Sequence, residues 1–366
     1  MGAVETRPSG SSRWTKCSAA PLFASRAMPQ PDNDAAKEGT CAAWVPELVL
    51  KGQVLRCADM IGERHANGWE VDAEMAGHTQ SYVDMIREKG GIIHAEKFVR
   101  LSPLVAGTLD NSASVLDGTL YVRDLKYGFQ LVEADTEQLV IYGGALAAEV
   151  LDTGAPVTRV VTEIYQPRGF HHDGIHRRHV WTVQEIFDRV RWIASRAEEC
   201  HKPNPVATVG THCMNCNGAT GCEALASTVN NLLGFVESSR HREMSPTETG
   251  IRLTYLRQAK KIIDAATSAL EAEALAKHTS GTPIVGMGLI ERKGHKKFHC
   301  QPSSIKALTG KDPFKKVLKS PAELKADGAT DRQLAALTIK PTIGHKLMPL
   351  DPKDLERQFM KGTQNG

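Results

Sequence analysis

The feature that most constrains this chain is a change of hydrophobic period near residue 90. Before it, Met75, Tyr82, Met85 and Ile86 recur at helical spacing, so a helix is expected over Val71–Lys89. After it the period drops to two. Ile92–Leu101, Val105–Leu116 and Thr119–Lys126 read as three strands, with Asp117-Gly118 as a turn between the last two. A helix is expected over about Glu133–Leu151, a strand over Arg159–Gln166, a short strand near Val180 and a helix over Val183–Cys200. Helix, three strands, helix, strand is an α+β order, not a β-α-β-α alternation. Upstream, residues 1–40 read as an irregular arm leading into a helix over Ala36–Leu50.

The 366 residues carry 45 Lys+Arg against 42 Asp+Glu, a net charge of +3, with 41% hydrophobic residues. That balance belongs to a folded protein and excludes a uniformly basic coat for nucleic acid, so an acidic polymer would have to meet local patches. The length divides into an expected domain over 1–236, a linker over 237–250 and a basic C-terminal region over 251–366. The last holds a long charged helix, a hairpin-like stretch and a Pro-punctuated tail. No window approaches ~18 uncharged apolar residues, so no membrane span is expected. Residues 1–30 lack an apolar secretory core, which makes a cytoplasmic location the expectation.

Chemistry concentrates at two places. The first is Gly107-x-x-Asp110, Asp124-Leu125-Lys126, and Gln138 with Tyr142 one turn later. Asp124 and Lys126 share one face of their strand. A two-residue loop at Asp117-Gly118 would set Asn111 opposite Asp124. A three-residue loop, Leu116-Asp117-Gly118, sets Asp110 there instead. Two carboxylates so placed repel unless a cation lies between them, and hard oxygen ligands favour Mg²⁺ or Mn²⁺. Lys126 beside that cation could orient or help deprotonate the attacking water and stabilise charge on a phosphate. Glu96 on the preceding strand is a further candidate ligand. An isolated Asp-x-Lys is usually a solvated strand end; the order of the surrounding pieces favours a metal site.

The second place is Cys213-x2-Cys216-x5-Cys222, for which Cys17 is the candidate fourth ligand. Four thiolates fit either Zn²⁺ or an iron–sulfur cluster, and spacing alone favours zinc. His171, His172, His176 and His179, with Arg168, Arg177 and Arg178, read as a solvated loop that brushes phosphates, with a metal site as the alternative. Lys293, Lys296 and Lys297 mark a locally basic stretch, either a plain solvated face or a contact surface for a DNA backbone.

Taken with Arg13-Trp14-x-x-Cys17, Glu38-Gly39-Thr40 and Gln166-Pro167-Arg168, these motifs resemble the RecB-like nucleases of the PD-(D/E)xK superfamily. The resemblance spans about residues 10–230 and is closest to a prophage-encoded branch with an AddB-like iron–sulfur staple. It implies a restriction-endonuclease-like core, a central mixed sheet flanked by helices, with a smaller C-terminal α/β region. It implies a metal-dependent deoxyribonuclease, an exonuclease of phage recombination or DNA processing in the bacterial cytoplasm. Asp110, Asp124 and the Leu125 carbonyl would bind Mg²⁺ or Mn²⁺, Lys126 would assist the attacking water, and Gln138 and Tyr142 would line the strand-binding side. Cys17, Cys213, Cys216 and Cys222 would hold a [4Fe–4S] cluster, which displaces zinc as the favoured occupant. DNA is the implied partner, with a phage single-strand annealing protein, a helicase or a second copy of the chain as further candidates.

One departure stands out. Where the family places a metal-facing His, this chain has Ala43. That leaves open a one-metal or slower site, recruitment of Glu38, Glu47 or another group, or a catalytically impaired scaffold that only binds DNA. A third alternative, outside the nuclease fold, is a zinc-stapled regulatory protein.

Overall fold

The computed structural model describes residues 4–27, 33–114, 117–169, 171–237, 244–293, 297–298, 302–311, 321–326, 328–339 and 342–349. The chain forms two compact units, Met1–Glu273 and Ala274–Gly366. In the first, helices α1 (Ser11–Trp14), α2 (Ala20–Arg26), α3 (Asp34–Leu50) and α4 (Ala73–Lys89) precede strands β1 (Ile92–Ser102), β2 (Val105–Ser114) and β3 (Thr119–Leu125). Then come α5 (Glu137–Asp152), β4 (Arg159–Tyr165), β5 (His176–Thr182), α6 (Val183–Cys200), α7 (Glu223–Glu237) and α8 (Pro246–Thr279).

Local chemistry sets several of these boundaries. The Asn33 side chain accepts from the Ala36 N–H at 2.8 Å, Asp72 from Met75 at 2.8 Å, and Thr182 with Glu185 forms a reciprocal cap on α6. Helix α4 stops at Gly90, whose φ of 64° suits glycine. Gly118 takes φ 77° at the turn into β3, the left-handed geometry expected of it.

The sheet runs β1-β2-β3-β4-β5, with β3 and β4 parallel and every other pair antiparallel. Helix α5 makes the crossover between the parallel strands, so the architecture is α+β with a mixed sheet. Leu120, Val122 and Ile164 pack against Leu139, Val140 and Leu146 of α5 and against Ile186 and Ile193 of α6. On the other face Leu125 and Tyr165 meet Tyr82 and Ile86 of α4, and α3 packs on α4 through Val45, Val49, Met75 and Val83. Helix α5 lies so close that a Cβ on Gly143 would sit 2.8 Å from Ile186 Cδ1.

The N-terminal arm differs from expectation. Residues 8–26 form helical turns, and Trp14, 2% exposed, enters the main core with its indole donating to the Arg7 carbonyl at 2.8 Å. The Ser- and Pro-rich composition conceals this, because one buried aromatic outweighs the weak local propensity of its neighbours. Helix α7 was also not foreseen, and α8 begins at Pro246, where proline suits a first helical turn. Residues 238–243 of the expected linker lie outside the described residues.

In the second unit β6 (Met287–Lys293) pairs with β9 (Thr342–Pro349), and β7 (Lys297–Phe298) with β8 (Thr338–Ile339). The stretch expected to close on itself as a hairpin therefore pairs with distant strands. A small core of Ile305, Leu324, Leu334 and Leu337 draws on helices α9 (Pro302–Thr309), α10 (Pro321–Ala326) and α11 (Asp331–Ala335). Among the described residues no helix is long and apolar enough to cross a membrane.

Candidate metal centre and cysteine cluster

Strand β2 pairs with β3 through Asn111↔Arg123, Ser112↔Val122, Ala113↔Tyr121 and Ser114↔Leu120. This is the three-residue-loop register, and its next step places Asp110 opposite Asp124; Val115 and Leu116 themselves lie outside the described residues. The regular ladder stops at that step. The Leu125 N–H instead donates to Asp110 Oδ2 at 3.3 Å, so a side chain bridges the point where the two strands part. Strand alternation also breaks there. Leu109 belongs to the core beneath α5, whereas Asn111, two residues on, accepts from Arg123 on the opposite face. Across from Asp110 in the β1–β2 register stands Glu96, with φ 54°, the one non-glycine residue with positive φ among those described.

Asp124 is 3% exposed and lies 2.7 Å from Lys126 Nζ. Gln138 spans the two: its Nε2 donates to Asp124 Oδ1 at 3.4 Å and its Oε1 accepts from Lys126 Nζ at 3.4 Å. Tyr142, one turn further along α5, is buried, and its hydroxyl lies 3.4 Å from where a Cβ on Gly107 would stand. Pro8 would be 2.9 Å from that Cβ, so the glycine of Gly107-x-x-Asp110 is required by close packing. Burial, reinforced by the Asp124 charge, pushes Asp110 well above the ordinary carboxylate range. Burial pulls Lys126 down, but Asp124 and Asp110 outweigh it and hold the ammonium above its usual value. Burial, then the two carboxylates, likewise raise Tyr142.

The side of Asp110 away from α5 opens into a small pocket lined by Ala43, Pro46, Glu47 and Leu50 of α3, with Tyr82, Glu96, Asp110 and Leu125. Burial raises Glu96, and the nearby Glu47 charge raises it further while Lys51 opposes. Sequence reasoning had set Glu47 beside Glu38 as open alternatives. Glu38 is committed elsewhere, to Arg168 at 2.7 Å. Arg168 in turn lies over the Tyr127 and Phe129 rings at 4.6 and 4.3 Å from their centroids.

A buried network lies on the far face of β3. Arg123 Nε donates to Glu163 Oε2 at 2.6 Å with the two side chains 0% and 1% exposed, and His176 lies 3.2 Å from Glu163 Oε1. The charged Arg123 and Glu163 within the expected strands Thr119–Lys126 and Arg159–Gln166 were the sequence signal for this network. Arg177 is also structural, donating to the Val132 carbonyl and to Gln166. In the expected phosphate-brushing loop, the donor atoms of His171, His172 and Asp173 all lie within 4.8 Å of one another, and His171 also meets Glu133 at 3.1 Å.

The cysteines that sequence placed two hundred positions apart come together. Cys17 packs with Cys216, while Cys213 packs with Cys216 and Cys222. The Thr208 N–H points at Cys17 Sγ at 3.4 Å and the Gly210 N–H at Cys213 Sγ at 3.5 Å. Ser18 pins the arm by exchanging hydrogen bonds with Val206 at 3.0 Å. Burial raises Cys17, but His212 and backbone N–H groups outweigh it and lower the thiol; burial raises Cys213 and Cys216, with Cys17 adding to the effect. Ile262, Ala265, Ala266 and Ala269 of α8 cover the cluster. Lys293 ends β6 and Lys297 opens β7; Lys296 lies outside the described residues.

These features define an α+β protein whose five-stranded mixed sheet carries an acidic pair and a lysine where its second and third strands part. The chain belongs to the family described as Protein of unknown function (DUF2800), which matches residues 6–353.

Proposed function

We propose that this chain is a divalent-metal-dependent deoxyribonuclease with a PD-(D/E)xK core. The observation that carries the reading is the register of β2 on β3. Continued one step past Asn111↔Arg123, it brings Asp110 to Asp124, whose charge acts on it, while Asp110 Oδ2 accepts from the Leu125 N–H at 3.3 Å and Lys126 Nζ lies 2.7 Å from Asp124. Two neighbouring carboxylates, one of them held strongly toward its neutral form, are the donor set a divalent cation would stabilise. Asp110, Asp124 and the Leu125 carbonyl are the groups that would hold Mg²⁺ or Mn²⁺. When bound, the cation supplies charge neutralisation and Lewis-acid polarisation of a phosphodiester oxygen.

The protein's own groups do the rest. Lys126 keeps its proton in this environment, so it acts as a donor that orients the attacking water and meets negative charge growing on phosphorus. Gln138 links Lys126 and Asp124 through its amide, and Tyr142 closes the α5 side. The four thiols gather in one place and one of them is drawn toward thiolate, which supports the [4Fe–4S] cluster that the family resemblance implies. Such a staple would tie residue 17 to the segment after α6, closing a long loop.

The test is digestion of end-labelled linear and circular DNA with Mg²⁺ or Mn²⁺. Cleavage is expected in wild type and absent in Asp124→Ala and Lys126→Ala; cleavage surviving both substitutions refutes the site. Digestion of linear but not circular DNA would mark an exonuclease. Ala43 motivates a second reading, a nuclease fold retained only to bind DNA; metal-independent binding without cleavage would favour it.

A further inference from the structure

We propose that Glu47 of α3, with Glu96, completes the ligand set of the divalent cation from the pocket side of Asp110. The inference deepens the reading above and depends on it only for the presence of a cation. Glu47 is one turn of α3 beyond Ala43, and both line the pocket with Glu96, Asp110 and Leu125. The small Ala43 side chain leaves that helix face open, so the longer Glu47 side chain can reach the strand break.

A cluster of carboxylates would be weak evidence alone, but the pocket holds a second feature. Tyr82 is 1% exposed, lines the same pocket, and its hydroxyl has no hydrogen-bond partner among the described residues. A buried phenol left so costs about 1–3 kcal/mol unless something hydrated or ionic enters beside it. Lys51 is the countercharge for the time being. Its Nζ lies 2.6 Å from Glu47 Oε1, and its charge also reaches Glu96. Both members of that pair are partly exposed, so the ammonium can swing to solvent as a divalent ion takes its place. Glu38 cannot serve, since Arg168 holds it. An all-oxygen set of this kind selects Mg²⁺ or Mn²⁺ over thiophilic metals.

Titration of the full-length protein with Mn²⁺ alone, by calorimetry and by Mn²⁺ electron paramagnetic resonance, tests this without any turnover. Glu47→Gln should weaken binding at least tenfold with unchanged melting temperature in EDTA. Adding Ala43→His in the Glu47→Gln background should recover much of the affinity, because an imidazole there faces the same pocket. Binding by Glu47→Gln within twofold of wild type overturns the inference, as does a double variant no better than the single one. If Asp124→Asn abolishes binding while Glu47→Gln does not, the inference fails and the nuclease reading stands. If neither changes binding, both fail.

Discussion

Replacing Asp110 by asparagine should stabilise the cation-free protein while removing its response to divalent metal. Directly opposed residues of neighbouring strands stand ~5 Å apart. Two full unit charges at that distance would repel by about 3 kcal/mol at an effective dielectric near 20, an upper bound here because Asp110 is held toward its neutral form. Lys126, 2.7 Å from Asp124, offsets part of this, leaving a gain of about 1–2 kcal/mol for the neutral amide. Asparagine keeps an oxygen for the Leu125 N–H. The sign follows from the raised pKa of Asp110. A carboxyl whose folded value exceeds its unfolded value opposes folding above the unfolded value; the penalty shrinks as pH falls below the folded value and is gone below the unfolded one. At roughly 2–4 °C per kcal/mol for a domain of this size, the variant should melt about 2–8 °C higher in EDTA at neutral pH. Wild type at a Mn²⁺ concentration a hundredfold above its dissociation constant should gain about 2.7 kcal/mol, and the variant nothing. Differential scanning calorimetry in EDTA and in Mn²⁺ measures both. A variant less stable than wild type in EDTA, or an equal Mn²⁺ shift in the two proteins, refutes the reasoning.

Other outcomes follow from the surrounding structure. Glu163→Ala leaves Arg123 buried and unpaired, so chemical denaturation should show a loss of about 3–5 kcal/mol, and Arg123→Met with Glu163→Leu a much smaller one. Burial raises Glu163, yet His176 and Arg123 outweigh it and hold its pKa below 4.5; its stabilisation is present above that value and should fade as urea midpoints are followed to lower pH. Gly218 packs so tightly on Phe23 and Ala24 that a Cβ would collide with backbone, so Gly218→Ala should cost about 1–3 kcal/mol and lower cluster content, read as absorbance near about 400 nm in anaerobic protein. Cys17→Ser should remove that absorbance and lower the melting temperature of the first unit; an unchanged spectrum would remove Cys17 from the ligand set.

The elements around the candidate site were legible because they are periodic and well bounded. Val183–Cys200 carries a Thr182/Glu185 cap at its start, and Asp117-Gly118 announces the turn that fixes the strand register. The same turn made Asp110 readable, because one residue of loop length decides which face it takes. What stayed hidden depends on contacts distant in sequence. Trp14 sits in a stretch of weak local preference, and only its partners in α5 and the sheet reveal it as core. The partner of β6 is β9, which no nearby turn specifies. Glu47 read as one acid among several on α3 until Arg168 was seen to claim Glu38 and the pocket to claim Glu47.

The strand break concentrates unfavourable choices that a purely structural sheet would avoid. Glu96 holds a backbone conformation costing about 1–3 kcal/mol for a side-chain-bearing residue, although glycine would relieve it. Asp110 faces Asp124, Glu47 raises Glu96, and the Tyr82 hydroxyl has no partner among the described residues. Each cost could be removed by a conservative change: glycine at 96, asparagine at 110, phenylalanine at 82. All of them converge on one position, and a single divalent ion there would repay several together: charge repulsion becomes attraction, and a hydrated ion gives the phenol a partner. By contrast the Arg123–Glu163 pair, equally buried, brings opposite charges together at 2.6 Å and so needs no cation, although Arg123 Nη2 has no hydrogen-bond partner among the described residues. The difference between a pair of opposite charges and a gathering of like charges separates scaffold from site.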